Sequence, residues 1–216
     1  MNGQLHQNII RLFKERFEND CISLLLESYK SLRDSDRQIN DYSENNITAQ
    51  LCGYMKTNPK RADLQIHINR ENYLDNSDTY AGLADADKSP RIDIKYSTWH
   101  SKTEHEYHME AKNLIENNWK RNEADTPINA NSLRKRYIET GIGNFINERY
   151  PNGCLLGYIL EGDIPKIAQL LNGALKTDNR EKEVLSKSND YGFDSLYISN
   201  HNSTIPKLKH FFLNFS

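Results

Sequence analysis

The sequence predicts an α/β fold, in which helices flank a mixed central β-sheet and a helical extension precedes it. Three observations support this fold class. A long segment near the N-terminus has apolar residues at helical spacing. Two segments in the middle of the chain alternate polar and apolar residues, as strands with one covered face do. A short and almost wholly apolar run then follows, which is typical of a strand covered on both faces.

The composition is that of a folded globular protein. The chain has 216 residues, of which 37% are hydrophobic and 27% are charged, enough to form one domain with a sizeable core. The net charge of −2 provides no global basic field and argues against a simple DNA-coating protein. We expect a single domain over residues 1–216, with a helical extension at 1–40, the core at 41–160, and a C-terminal helix and strands at 161–216.

The cysteines and the N-terminus predict a location in the cytoplasm. Cys21, Cys52 and Cys154 are far apart and form no CxxC pair, which argues against a zinc ribbon or a disulfide framework and suits a reducing compartment. The first residues lack the apolar region of a signal peptide. No apolar run approaches the roughly 18 residues that span a bilayer, so we expect no membrane association.

Two helices and one strand are predicted before the centre of the chain. Apolar residues at helical spacing predict a helix over residues 4–32, and the polar residues 33–42 form a connection. A second helix is predicted over residues 43–55, ending before Asn58-Pro59. Residues 62–69 alternate as a strand, with Leu64, Ile66 and Ile68 on one face. Residues 71–89, rich in Asn, Asp, Gly and Ser, predict a long surface loop.

The second half of the chain alternates strands and helices. Strands are predicted at residues 90–97 and 106–113, joined by the loop STWHSKTEH, and a basic helix follows at residues 131–149. The apolar run at residues 154–160 predicts a buried strand. The remaining predicted elements are a helix at 164–175, a charged loop, and strands at 196–199 and 208–215. Gly141 and Gly143 fall within the basic helix, where they either permit close approach to the sheet or break the helix.

The two central strands place charged side chains on one face of a hairpin. Alternation puts Arg91, Asp93 and Lys95 on one face of the first strand and Ile92, Ile94 and Tyr96 on the other. In the second strand, His108, Glu110 and Lys112 share a face, opposite Tyr107, Met109 and Ala111. An antiparallel turn centred between Ser101 and Lys102 pairs Asp93 opposite Glu110, and this is the middle of the polar loop.

These three residue types suit metal-dependent hydrolysis. Two carboxylates facing each other across a ladder repel, and a hard divalent cation relieves that repulsion. Mg²⁺ binds one or two protein carboxylates and keeps several waters. Lys112 lies on the same face as Glu110, about 7 Å further along the strand, where an ammonium group can orient a water or hold a phosphate oxygen. Carboxylates, a metal ion and a lysine are what hydrolysis of a phosphodiester requires.

Arg91-Ile-Asp93, sixteen intervening residues and Glu110-Ala-Lys112 resemble the motif of the PD-(D/E)XK nuclease superfamily, although Ile92 stands where that motif has proline. The resemblance covers about residues 40–160 and implies a restriction-endonuclease-like core in the order helix, three strands, helix, strand. It implies DNA cleavage dependent on Mg²⁺ or Mn²⁺. By this resemblance Asp93, Glu110, Lys112 and Glu44 are catalytic, and Asp93, Glu110, Glu44 and the backbone carbonyl of Ala111 are metal ligands.

A second resemblance concerns the segments RYIETGIGNFINERYP and GCLLGYILEG. They are similar to the helix and strand of uncharacterised nucleases of this superfamily that are associated with bacterial phage defence. The resemblance implies action alongside partner proteins of a defence system. A homodimer would be the simplest way to cut both strands of DNA.

Simpler interpretations remain open for the charged and histidine residues. Without its context, the Asp93 and Glu110-x-Lys112 pattern also describes a solvated strand face. Glu44 completes a capping box with Asp41, although it shares a helix face with Ile47 and Leu51. The histidines of HEYH suggest zinc, but in a strand they point to opposite faces.

A basic cluster follows the central strands. Its members either contact phosphates of DNA or form a solvated helix face, and His108 is a further candidate phosphate contact. The cluster comprises Lys120, Arg121, Arg134, Lys135 and Arg136. Two other functions remain: a non-catalytic nucleic-acid-binding or protein-interaction module on the same fold, and a nuclease that acts on RNA or branched DNA.

Overall fold

The computed structural model describes residues 2–35, 39–121 and 126–216. The predicted connection at residues 33–42 therefore includes residues 36–38, which lie outside the described residues. The helices are α1 (Asn2–Arg33), α2 (Glu44–Thr57), α3 (Pro59–Asp63), α4 (Ser77–Tyr80), α5 (Ala130–Arg136), α6 (Gly143–Ile146) and α7 (Ile164–Thr177), with a π-helical segment (Tyr137–Ile142) between α5 and α6. The strands are β1 (His67–Tyr73), β2 (Arg91–His100), β3 (Thr103–Ile115), β4 (Cys154–Glu161), β5 (Ser186–Ser188), β6 (Leu196–Asn200) and β7 (Lys207–Asn214).

The strands form one mixed sheet of seven strands in the order β1-β2-β3-β4-β7-β6-β5. β3, β4 and β7 are parallel to one another, whereas β1 and β2 on one side and β6 and β5 on the other add antiparallel. The prediction of an α/β fold with a mixed sheet, flanking helices and an N-terminal helix is confirmed. Within the described part of the chain, no helix combines the length and apolar character that a membrane span requires.

Two hydrophobic cores lie on opposite faces of the sheet. The first core joins α1 and α2 to one face, for example through Leu51 and Met109. The second core joins the α5–α6 region and α7 to the other face, through Phe145, Leu171 and Phe212 among others. β4 contributes alternate residues to each core and is buried from Cys154 to Leu160. Its apolar sequence is thus explained by cover on both faces, as predicted.

The predicted strand at residues 62–69 is wrong in its position. β1 spans His67–Tyr73, because a short helix occupies the start of the predicted range. The Asn58 side chain accepts a hydrogen bond from the Lys60 N–H, and Pro59 takes the first helical position of α3, where its missing N–H has no consequence. The Asn58-Pro59 pair therefore ends one helix, as expected, and also begins the next.

Several other boundaries differ from the prediction. The predicted loop at 71–89 is largely exposed but contains the end of β1, the helix α4 and a short 3₁₀ helix at Ala86–Lys88. The basic helix ends at Ile146 and includes the π-helical segment. The charged loop contains 3₁₀ helices at Glu181–Glu183 and Asp190–Gly192, and the short edge strand β5.

The central hairpin has the predicted register but a much shorter turn. The pairs run from His100 with Thr103 to Ile94 with Met109, and the same register places Asp93 opposite Glu110. Ser101 and Lys102 have φ values of 50° and 64°, so the two-residue turn has positive φ at both positions, as hairpin turns matched to strand twist require. The prediction of a nine-residue loop between the two strands is therefore wrong.

Strict alternation also fails at one residue of β2. Ile94 and Tyr96 pack in the first core, as one face requires, but Ile92 packs in the second core. The prediction that all three share a face is therefore wrong. The change of side occurs at Asp93, where β2 stops pairing with β3.

Candidate active site

The candidate site lies where β2 separates from β3. Beyond the pair of Ile94 and Met109, the N–H groups of Ala111 and Asn113 on β3 are taken by carboxylates. Asp93 Oδ2 accepts from the Ala111 N–H at 2.7 Å, and Glu44 Oε2 accepts from the Asn113 N–H at 2.8 Å. The two carboxylates thus accept the hydrogen bonds that carbonyl groups of β2 would otherwise accept. The main-chain N–H groups at this edge of β3 are therefore paired.

Glu44 is available for this role because another residue caps its helix. Ser43 is the N-cap of α2, and its side chain accepts from the Asn46 N–H. The capping-box alternative for Glu44 is therefore wrong. Glu44 is instead the first residue of α2, with 18% of its side chain exposed, and it reaches across to the edge of β3.

Glu110 and Lys112 lie together on the second-core face of β3, and each side chain is 7% exposed. Lys112 Nζ donates to Glu110 Oε1 at 2.5 Å and to the Ala111 carbonyl at 2.9 Å. Glu44 Oε1 lies 3.9 Å from the same Nζ. The structure therefore brings Glu44, Glu110, Lys112 and the Ala111 carbonyl to one place, next to Asp93.

Glu110 is an unsatisfied buried acid. Burial raises its pKa to about 7, while the Lys112 ammonium opposes that rise and the Asp93 carboxylate adds to it. Its Oε2 atom is buried and has no donor in hydrogen-bonding geometry among the described residues. The nearby Tyr150 hydroxyl lowers the pKa of Glu110 slightly but donates its proton to the Arg91 carbonyl. A buried carboxylate oxygen without a donor is unfavourable, so the site as built is complementary to a cation or a strong donor.

The π-helical segment passes close over this face of the sheet at Gly141. A Cβ atom on Gly141 would lie 3.0 Å from Leu155 Cδ2 and 3.6 Å from Lys112 Cγ. The prediction that a glycine here permits close helix–sheet approach is confirmed. The π-helical segment thus covers part of the Lys112 side chain, which is 7% exposed.

The donor set suits a hard cation and not zinc. Within the described ranges no three His, Cys, Asp or Glu side chains are grouped so as to hold a metal ion. Two carboxylates and a main-chain carbonyl, completed by waters, are compatible with Mg²⁺, which seldom takes an all-protein cage. His105 packs against Phe13 on the first-core side of β3, and His108 lies on the other side, so the two histidines of HEYH do not converge.

The predicted phosphate contacts divide into buried structural groups and accessible cations. His108 is fully buried, with Nδ1 at 3.1 Å from Asn152 Oδ1, which leaves it no surface for a phosphate. Arg134 donates to the carbonyls of Ile115 and Glu116, so it fixes the end of β3. The accessible members are Lys120, Lys135 and Arg136, and Arg121 donates one N–H to the Tyr42 carbonyl.

Two neighbours of the site carry no recognisable sequence signal. Asn113 is 7% exposed, and its side-chain oxygen accepts no hydrogen bond from the described residues. The Tyr150 hydroxyl donates to the Arg91 carbonyl beside the point where β2 turns away. Their roles depend on contacts with residues far away in the chain, which local alternation cannot reveal.

Comparison of the chain with protein-family models, with curated proteins and with solved structures finds no match in any of the three.

Proposed function

We propose that the protein is a Mg²⁺- or Mn²⁺-dependent nuclease that hydrolyses DNA phosphodiester bonds on a restriction-endonuclease-like core of the PD-(D/E)XK superfamily. The observation that carries the proposal is the buried, unpartnered Glu110 Oε2 next to Asp93 and Lys112. The chain order α2, β1, β2, β3, α5–α6, β4 supports it, because this is the order that the resemblance implies.

Asp93, Glu110 and the Ala111 carbonyl would hold the ion, with Glu44 in support. All are hard oxygen donors, and the ion would offset both the burial of Glu110 and the repulsion from Asp93. When bound, such an ion polarises a phosphoryl oxygen and makes a water more acidic.

The side chains have separate tasks in this proposal. Lys112 uses two of its three N–H donors on Glu110 and Ala111, which leaves one for a phosphate oxygen or the attacking water. Asp93 fixes the Ala111 peptide, and Glu44 fixes the Asn113 peptide. The carboxylates therefore also orient the main chain of the site.

DNA cleavage by purified variants tests the chemistry. We expect Asp93→Ala, Glu110→Ala and Lys112→Ala each to lose about 100-fold or more in rate with Mg²⁺ or Mn²⁺, and EDTA to abolish wild-type cleavage. Glu106→Gln is the matched control, since Glu106 lies on the same strand but pairs with Lys95. Cleavage that persists in EDTA, or variants as active as the control, would contradict the proposal.

Calorimetry with Mn²⁺ separates catalysis from binding alone. We expect heat of binding in the wild type and none in Glu110→Ala. Wild-type protein that binds nucleic acid but no divalent ion would favour a non-catalytic module. The same cleavage assay with RNA and branched DNA determines the substrate.

The biological setting is part of the same proposal. Three buried and unpaired cysteines are compatible with a cytoplasmic enzyme. The resemblance to nucleases of phage defence supports a role there with partner proteins, and a homodimer would present two sites to one duplex.

A further inference from the structure

A cavity adjoins the candidate active site on the side of Glu44. Its volume is about 360 Å³, and it lies between the start of α2, the end of β3 and the α5 region. The polar groups that line it are Ser43, Glu44, Asn45, Asn113, Arg121 and Arg136. Glu44 belongs to both places, because its Oε2 binds the Asn113 N–H and its Oε1 faces Lys112 and Arg136.

Two polar atoms of these lining residues are buried without partners among the described residues. One is Oδ1 of Asn113, a residue that is 93% buried, and the other is Nε of Arg121. Unmade hydrogen bonds at buried groups cost about 1–3 kcal/mol each, so the unpaired Arg121 N–H favours an acceptor such as an anion. The Asn113 oxygen is an acceptor and would not bind an anion itself, but rotation of the amide by about 180° puts the NH₂ group in its place.

The charge of the cavity fits an anion. Two guanidinium groups and one carboxylate give a net charge of +1, and Arg136 Nη2 lies 3.6 Å from Glu44 Oε1. Guanidinium groups bind phosphate oxygens in a planar fork. The first turn of the 14-residue helix α2 faces the same space, and free N–H groups at a helix start favour an anion.

We propose that this cavity is a subsite for a backbone phosphate of the nucleic-acid strand, next to the phosphate that is cleaved. Arg136 and Arg121 bind the phosphate oxygens, and Asn113 donates through its NH₂ group in the rotated orientation of the amide. The inference rests on the proposed function, because the strand must cross the neighbouring Glu110 site. It assigns phosphate binding to two of the five basic residues of the cluster and adds Asn113, which is not basic.

Binding of a short fluorescent DNA duplex, measured by anisotropy, tests the subsite. The parent protein is Glu110→Gln in EDTA, so that cleavage plays no part. We expect Arg136→Ala to raise the Kd about tenfold and to lower the slope of log K against log salt by about 0.9. Arg16→Ala is the control, because Arg16 is a strongly exposed arginine of α1 that lines no part of the cavity.

Duplexes with one neutral methylphosphonate linkage, moved along the strand, locate the contact. We expect the methylphosphonate at one linkage to weaken binding by the parent protein. The same linkage should have no further effect on Arg136→Ala, because two changes that remove the same contact are not additive. Half of the Arg136 side chain is exposed, so its replacement does not disturb the core. Arg121→Lys, which keeps the charge but removes Nε, should give a smaller loss at the same position.

Equal affinities for Arg136→Ala and Arg16→Ala, or methylphosphonate effects that are identical in the parent and in Arg136→Ala, would overturn the subsite. If the wild type nevertheless cleaves DNA with Mg²⁺, the nuclease proposal stands without it. Coupling at one linkage without any cleavage would keep the subsite and overturn the nuclease proposal.

Discussion

Asp93 shows how one side chain can serve structure and chemistry at once. Its Oδ2 accepts the Ala111 N–H at 2.7 Å where the β2–β3 ladder ends. Without that acceptor a main-chain donor next to the core would lose its partner. The Asp93 carboxylate therefore stabilises the point where β2 and β3 separate, through its role as a hydrogen-bond acceptor. Its negative charge is not needed for that role and could bind a cation.

Asp93→Ala and Asp93→Asn should separate these two properties. We expect the alanine variant to lose about 1–3 kcal/mol of unfolding free energy, because the Ala111 N–H is left unpaired. Asparagine keeps an oxygen acceptor and removes the repulsion with Glu110, so it should stay within about 1 kcal/mol of the wild type. Urea unfolding in EDTA measures both, and an asparagine variant as unstable as the alanine variant would disprove this account.

Strand alternation in the sequence predicts which site residues share a face, but it does not predict which distant residues those side chains contact. Strand alternation placed Glu110 and Lys112 on one face, and the structure confirms this. His108 shares that face, yet it is buried against Asn152 from the turn before β4. Arg134 likewise bonds to carbonyls at the end of β3. Such contacts join distant parts of the chain, and no local pattern encodes them.

At the scale of elements, hairpin register was predictable and turn length was not. The register follows from the two-residue period of side chains, since a slip of one residue reverses every face. The sequence does not predict the two-residue turn, because Ser101 and Lys102 adopt positive φ without the Asn-Gly or Gly sequences that normally mark it. The sequence does not predict helix α3 either, because Asn58-Pro59 is typical of a helix end and here also starts a helix.

Two glycines in different elements should respond in opposite ways to the same substitution. A Cβ atom on Gly157 of β4 would lie 2.5 Å from Phe212 Cδ1 and 3.1 Å from Leu114 Cδ1, whereas one on Gly173 of α7 would meet no atom within 4 Å. We expect Gly157→Ala to lose about 1–3 kcal/mol through overpacking. Gly173→Ala should gain about 0.5–1 kcal/mol from helix propensity.

Thermal and urea unfolding of these two variants measure the difference, and each variant is the control for the other. A Gly157→Ala protein as stable as the wild type would show that β4 and β7 are less tightly packed than the structure indicates. A destabilised Gly173→Ala would contradict the open space over α7.

At the scale of the whole molecule, a series of hydrogen-bonded polar side chains runs along the second-core face of the sheet toward the β6–β5 edge. His210 on β7 lies 2.9 Å from the Tyr137 hydroxyl through Nδ1 and 2.7 Å from Ser199 Oγ through Nε2. Ser199 Oγ also contacts His201, whose Nδ1 lies 2.9 Å from Glu183 Oε2. These groups connect the π-helical segment, β7, β6 and the loop before β5, and none of them lies in the candidate site.

These polar side chains should make the stability of the folded protein sensitive to acid. Burial lowers the pKa of His210 to about 3, with a further downward contribution from His201. In the unfolded chain the imidazole titrates near its ordinary value of about 6.5. The unfolded state therefore binds a proton that the folded state does not, and the contribution of His210 to stability is complete above about pH 6.5 and declines as the pH falls toward 3.

His210→Gln should remove this dependence, because glutamine keeps polar atoms for Tyr137 and Ser199 but does not titrate. Between about pH 6 and pH 4, the unfolding free energy of the wild type should fall more steeply than that of the variant by about 1.4 kcal/mol per pH unit. Urea unfolding at several pH values measures both slopes, with His67→Gln on the exposed edge strand as the control. Parallel slopes for the wild type and His210→Gln would show that His210 accepts its proton in the folded state.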